Sequence, residues 1–72
     1  MDTLTATVAA RVRDAIDSAG ITHVGLSEST GIPRTTLIRR LNGFAPFTLE
    51  ELEAVAHVLG TSVSDLTRKG AA

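Results

Sequence analysis

Apolar residues recur along this chain at intervals of three and four, with polar residues between them. That period gathers side chains on one face of an α-helix, and it predicts helices throughout. Leu4, Val8, Val12, Ile16 and Ala19 form the stripe of a first helix over about residues 3–19. Asp2 or Thr3 supplies its cap and Gly20 its stop. A second helix runs over about 23–30, opened by Thr22, closed by Gly31 and anchored by Leu26. Pro33 suits the first turn of a third helix over about 33–42, where its missing N–H costs nothing. Leu37 and Leu41 face inward from that helix, and Asn42-Gly43 ends it. A fourth helix spans about 48–59: Thr48 and Glu51 have capping-box spacing, and Phe47 and Leu52 have staple spacing. Leu49, Leu52, Val55, Ala56 and Leu59 are its inward stripe, and Gly60 stops it. Ser62 and Asp65 repeat the capping spacing for a last helix over about 62–67, held by Val63 and Leu66. No segment alternates as a strand does and none repeats. The expectation is one all-α domain over residues 1–67, with a frayed tail from Arg68 to Ala72.

Composition narrows the picture. Seventy-two residues make at most one domain, and so short a chain buries little apolar surface, so its stability is modest. With two Phe and no Tyr or Trp, the core must be Leu, Val, Ile and Ala. There is no cysteine, hence no disulfide and no zinc finger, and two distant histidines make no metal site. No cofactor and no small-molecule ligand are expected. No apolar run reaches membrane-span length, and the start MDTLTATVAARVRD lacks the basic end and apolar centre of a signal peptide. The expected location is cytoplasmic, away from membranes. No motif for nucleophilic, metal or acid–base catalysis is present, which argues against an enzyme. His57, beside the stripe of the fourth helix, reads as structural.

Charge changes the picture more. The net charge is −1, yet residues 32–43 hold Arg34, Arg39 and Arg40 and no acid. Residues 44–66 hold Glu50, Glu51, Glu53 and Asp65 and no Lys or Arg. A surface field follows where charges sit, not their sum. The cationic segment closes the stretch THVGLSESTGIPRTTLIRRLNG, from Thr22 to Gly43, which reads as two short helices around a tight turn. Two steeply crossing helices need a small residue where they meet, a turn residue that tolerates positive φ, and apolar residues beneath the second helix. Ser27, Gly31 and Ile32 meet these needs, with Leu26 and Leu37 as the packing pair. A short helix bearing cations and hydroxyls outward has the shape that enters a DNA major groove. Gly25 is unfavourable inside a helix by roughly 1 kcal/mol relative to Ala, which makes sense where another backbone, or DNA, comes close.

From about Ile21 to Leu66 the chain resembles the Cro/repressor family of phage and bacterial regulators, the XRE-type helix-turn-helix proteins. The phrases GIPRTTL, RRLNG, FTLEELEAVAHVLG and SVSDL carry the likeness. The resemblance implies a compact five-helix, lambda-repressor-like DNA-binding domain whose third helix reads double-stranded DNA. It places Arg34, Thr35 and Arg39 at base-reading positions, where an arginine pairs in bidentate fashion with guanine. It places Thr22, His23, Thr36, Asn42 and the N–H groups of Gly43 and Phe44 at phosphate-holding positions. The chain departs from the family at His23, where glutamine is common, and at Thr30 and Arg40, where apolar residues are usual. Arg40 either reaches a phosphate or pairs with an acid of the fourth helix. The implied function is a sequence-specific transcriptional regulator, a Cro-like repressor acting as a dimer on its operator. The candidate dimer residues are Phe44, Phe47, Val58 and Leu66 on and beside the fourth and fifth helices. The alternative is an antitoxin-like or accessory module that uses the same scaffold to bind a protein.

Overall fold

The computed structural model describes residues 3–68. Five α-helices follow one another: α1 (Leu4–Ala19), α2 (His23–Thr30), α3 (Arg34–Leu41), α4 (Leu49–Leu59) and α5 (Val63–Thr67). There is no strand among the described residues. The starts are local chemistry. The hydroxyls of Thr3, Thr22, Thr48 and Ser62 each accept the N–H three residues on, at 3.1, 2.9, 3.1 and 3.0 Å. Each bond satisfies one of the donors that a helix start leaves over. Thr48 adds the reciprocal half, because the Glu51 carboxylate accepts the Thr48 N–H at 2.9 Å.

α3 begins differently. Pro33 lies outside it, extended at φ −55° and ψ 140°, and gives no side-chain cap. Its carbonyl still opens the helix by accepting the Leu37 N–H at 2.9 Å. The predicted start at residue 33 is therefore one residue early, and Arg34 is the first helical position.

α1 lies along α5 and also meets α3 and α4; α2 packs on α3 and α4; α4 meets α5. One cluster fills the space between them: Val8, Val12 and Ile16 of α1, Leu26 of α2, Ile32 of the turn, Leu37 and Leu41 of α3, Leu52, Val55 and Ala56 of α4, and Leu66 of α5. Three predicted core residues are exposed instead. Leu4 and Leu49 each occupy the first position of a helix. Cα–Cβ bonds tilt towards a helix N-terminus, so these side chains project past the end of the core. They flank a shallow apolar depression with Pro46 and Phe47. Ala19 is the last residue of α1. Leu66, proposed for a dimer surface, is buried in the core.

Two α1 arginines tie distant helix ends to the body. Arg13 donates to the carbonyl of Leu41, the last residue of α3, and the Arg11 Nε donates to the Arg68 carbonyl at 3.0 Å. Cations at these places meet carbonyls that a helix end leaves unpaired. Arg68 is thereby held, and its N–H donates to Ser64 at 3.0 Å. The rest of the predicted tail, 69–72, lies outside the described residues.

Candidate nucleic-acid interface

The geometry of Thr22 to Gly43 starts with its turn. Gly31 has φ 78°, a left-handed conformation that side chains disfavour, and its N–H donates to the Ser27 carbonyl at 2.9 Å. The Ser27 hydroxyl donates to the Ile32 carbonyl at 2.6 Å. Thr30, the hydroxyl that stands where the family prefers an apolar side chain, donates to the Leu26 carbonyl at 2.7 Å and accepts the Ile32 N–H at 3.3 Å. Ile32 enters the core, and no buried side-chain polar atom among the described residues lacks a hydrogen-bond partner. The angle between α2 and α3 is thus set by Ser27, Thr30, Gly31 and Ile32, with Leu26 and Leu37 packed beneath.

Gly25 has a different neighbour from the one expected. A Cβ there would stand 3.1 Å from the Thr22 hydroxyl and 3.3 Å from Ile21 Cγ1. What comes close is the helix's own cap, not a second backbone.

With Leu37 and Leu41 buried, α3 turns Arg34, Thr35, Ile38, Arg39 and Asn42 to the outside. They form two ridges of residues four apart: Arg34, Ile38 and Asn42 on one, Thr35 and Arg39 on the other. Neither Arg34 nor Arg39 has an ion-pair partner among the described residues. All three proposed base-reading residues therefore share one exposed face. Ile38 shares it too, and sequence reasoning missed it. Ile38 stands three residues before Leu41, a spacing that periodicity counts with the inward stripe, and an apolar residue draws no attention as a chemical group.

The proposed phosphate residues fare unequally. Thr22, His23 and Asn42 are exposed and Thr36 is half-buried. The Thr22 oxygen caps α2, and its hydroxyl hydrogen is not used by that bond. The N–H groups of Gly43 and Phe44 are corrected: they donate to the Arg40 and Arg39 carbonyls at 3.1 and 3.0 Å. They complete the end of α3, as helix termini require, and have nothing left for a phosphate. Phe44 itself is exposed.

Arg40 takes the second of its two alternatives. Its Nε pairs with Glu51 Oε1 at 3.0 Å and its Nη2 with Oε2 at 3.5 Å, across to α4. Partial burial pushes the Glu51 carboxyl up. Hydrogen bonds from Arg40 and from the Thr48 N–H, with the charge of Arg40, outweigh that and hold it below the ordinary 4.5. Arg40 thus links the end of α3 to the start of α4.

No group of three or more metal-binding side chains occurs among the described residues, and His57 is exposed on α4. No helix among them is long and apolar enough to cross a membrane.

Comparison with known proteins agrees with this geometry. A helix-turn-helix family model matches residues 12–66. The clp gene regulator ClgR from Corynebacterium glutamicum superposes with a TM-score of 0.86 at 28% identity, over 90% of this chain and 69% of that one. HppE with Co(II) and Tris buffer superposes with a TM-score of 0.83 at 30% identity, over 97% of this chain but 40% of that one. Apo-HppE gives 0.80 at 31%, over 92% and 37%. A search of curated protein sequences finds no match. The family match and the likeness to a gene regulator support a DNA-binding domain of the transcription-regulator type. Five helices, a hydroxyl-stitched glycine turn and a match that runs from the middle of α1 to α5 make the chain a member of the Cro/repressor, XRE-type, helix-turn-helix family.

Proposed function

We propose that this protein is a sequence-specific, double-stranded-DNA-binding transcriptional regulator, a Cro-like repressor that reads the major groove with α3. The observation that carries the reading is the exposed face of α3, where Arg34 and Arg39 stand without ion-pair partners beside Thr35. Arg34, Thr35 and Arg39 read bases; Thr22, His23, Thr36 and Asn42 hold the backbone on either side. Base contacts specify and phosphate contacts position. One domain makes few base contacts, so two copies bind half-sites about 34 Å apart, one turn of the duplex. The exposed Phe44 and half-buried Phe47 and Val58 supply the contact between copies.

The test is operator selection from random duplexes, followed by binding at several salt concentrations. Affinity for the selected site falls steeply with salt, because each neutralised phosphate releases counterions. Arg34→Ala and Arg39→Ala each weaken specific binding about 5- to 150-fold, the range of one bidentate arginine–guanine pair. Unchanged binding by both variants refutes the assignment.

The second reading, a protein-binding accessory module, has its own support. The same fold covers 37–40% of the HppE chains, whose structures include Co(II) and Fe(II) forms in complex with substrate, so it also occurs within a larger protein. Leu49 and Phe44 are 76% and 73% exposed. Selection of no sequence, with salt-independent capture of a protein partner through Leu49 and Phe44, favours this reading.

A further inference from the structure

Ile38 is 41% exposed in the middle of a ridge whose other members, Arg34 and Asn42, are polar, and Thr35 lies one turn before it. The fold has a full set of inward residues on α3 without it, in Leu37 and Leu41. Being β-branched, its side chain is stiff and offers a fixed apolar knob. In the major groove the apolar feature within reach of such a knob is the C5 methyl of thymine, since every other edge group is a donor or an acceptor. The arginines exposed on the same helix suit a polyanion, in keeping with the DNA-reading proposal.

We propose that Ile38 packs on a thymine methyl and is a specificity-determining residue of this protein. The inference rests on the major-groove reading of α3. Four residues of helix separate Ile38 from Arg34 by about 6 Å along the axis. Base pairs rise by about 3.4 Å, so the thymine lies within two base pairs of the guanine taken by Arg34. The operator half-site then holds a guanine and, within two base pairs of it, a thymine, in a register set by one ridge of the helix.

The experiment replaces each thymine of the selected operator, one at a time, by deoxyuridine. That base keeps the hydrogen-bonding edge and lacks the methyl. Wild-type protein loses about fourfold in affinity at one thymine per half-site, the value of one buried methyl at ~0.8 kcal/mol. Ile38→Ala binds the thymine and deoxyuridine sites equally, with its circular-dichroism melt unchanged. If wild-type protein is indifferent to the methyl at every position, or Ile38→Ala keeps the same preference for thymine, the inference is wrong while the DNA-reading proposal stands. If no sequence is selected at all, both fall. Where Ile38→Ala folds poorly, Ile38→Gln takes its place in the same comparison, with the same two outcomes.

Discussion

Glu51 joins two elements with one carboxylate. Its Oε1 accepts both the Thr48 N–H at 2.9 Å and the Arg40 Nε at 3.0 Å, so the cap of α4 and the last turn of α3 share an atom. The Arg40 and Glu51 side chains are only 20% and 18% exposed, which spares the pair much of the screening that weakens surface ion pairs. Because the folded carboxyl lies below its unfolded value of 4.5, the unfolded chain binds the proton more readily. Stability from this group is present above pH 4.5 and is lost as pH falls through the lower folded value. Glu51→Gln keeps an acceptor for the cap and removes the titration. Urea unfolding near neutral pH shows the variant less stable than wild type, because the folded carboxyl is held charged by Arg40 and the Thr48 N–H. In acid the gap closes, because wild type loses stability that the variant never had. A constant gap across that range refutes the account. Sequence alone left Arg40 between a phosphate and an acid of the fourth helix. Eleven residues separate it from Glu51, and only the tertiary fold, which brings the end of α3 within side-chain reach of the start of α4, decides such a pair.

At the level of helices and turns, what was legible followed from local chemistry. A capping hydroxyl acts three residues away, and a positive-φ glycine acts on its own turn, so Thr22, Thr48, Ser62 and Gly31 announce their roles. The ends were harder. Leu4 and Leu49 fit their stripes by angle, yet each leads its helix and overshoots the core. Gly43 and Phe44 look available to an anion until the end of α3 takes their N–H groups. Gly25 and Gly31 separate the two reasons for a glycine. Nothing lies within 4 Å of a Cβ added at Gly31, so Gly31→Ala meets backbone strain alone, about 1–2 kcal/mol. In a domain this small that lowers Tm by roughly 4 °C or more. Gly25→Ala gains about 1 kcal/mol of helix propensity. It also presses on a hydroxyl pinned by its bond to the Gly25 N–H, so the cap is strained as the propensity is gained. Its melt comes out at or slightly below wild type. A clearly higher melting temperature for Gly25→Ala shows that Thr22 and Ile21 yield without loss.

Across the whole molecule, the interface and the core are not separable. Leu26, Ile32, Leu37 and Leu41, which set the helix-turn-helix, belong to the same buried cluster as Val12 of α1 and Val55 of α4. Arg13 adds a bond from α1 to the end of α3, and Arg40 adds one from α3 to α4. The helix that carries the proposed reading face is therefore held from three sides, and its outward residues take no part in holding it. That division predicts two kinds of variant. Leu37 is fully buried, and Leu37→Ala removes about 2–5 kcal/mol through lost burial and the cavity left behind. A domain of this length has about 4–11 kcal/mol to lose, at roughly 0.05–0.15 kcal/mol per residue. Leu37→Ala thus melts far below wild type or is unfolded at room temperature, and its DNA binding fails in step with its helicity. Cooling or a stabilising osmolyte restores both together, because the reading face itself is intact. Arg34→Ala and Arg39→Ala behave in the opposite way, with wild-type melts and lost operator affinity that no stabilising condition recovers. Circular dichroism and binding isotherms on the same three proteins decide the point. A Leu37→Ala protein that melts with wild type yet does not bind would mean that α3 can shift on the core without unfolding it, contrary to one continuous cluster.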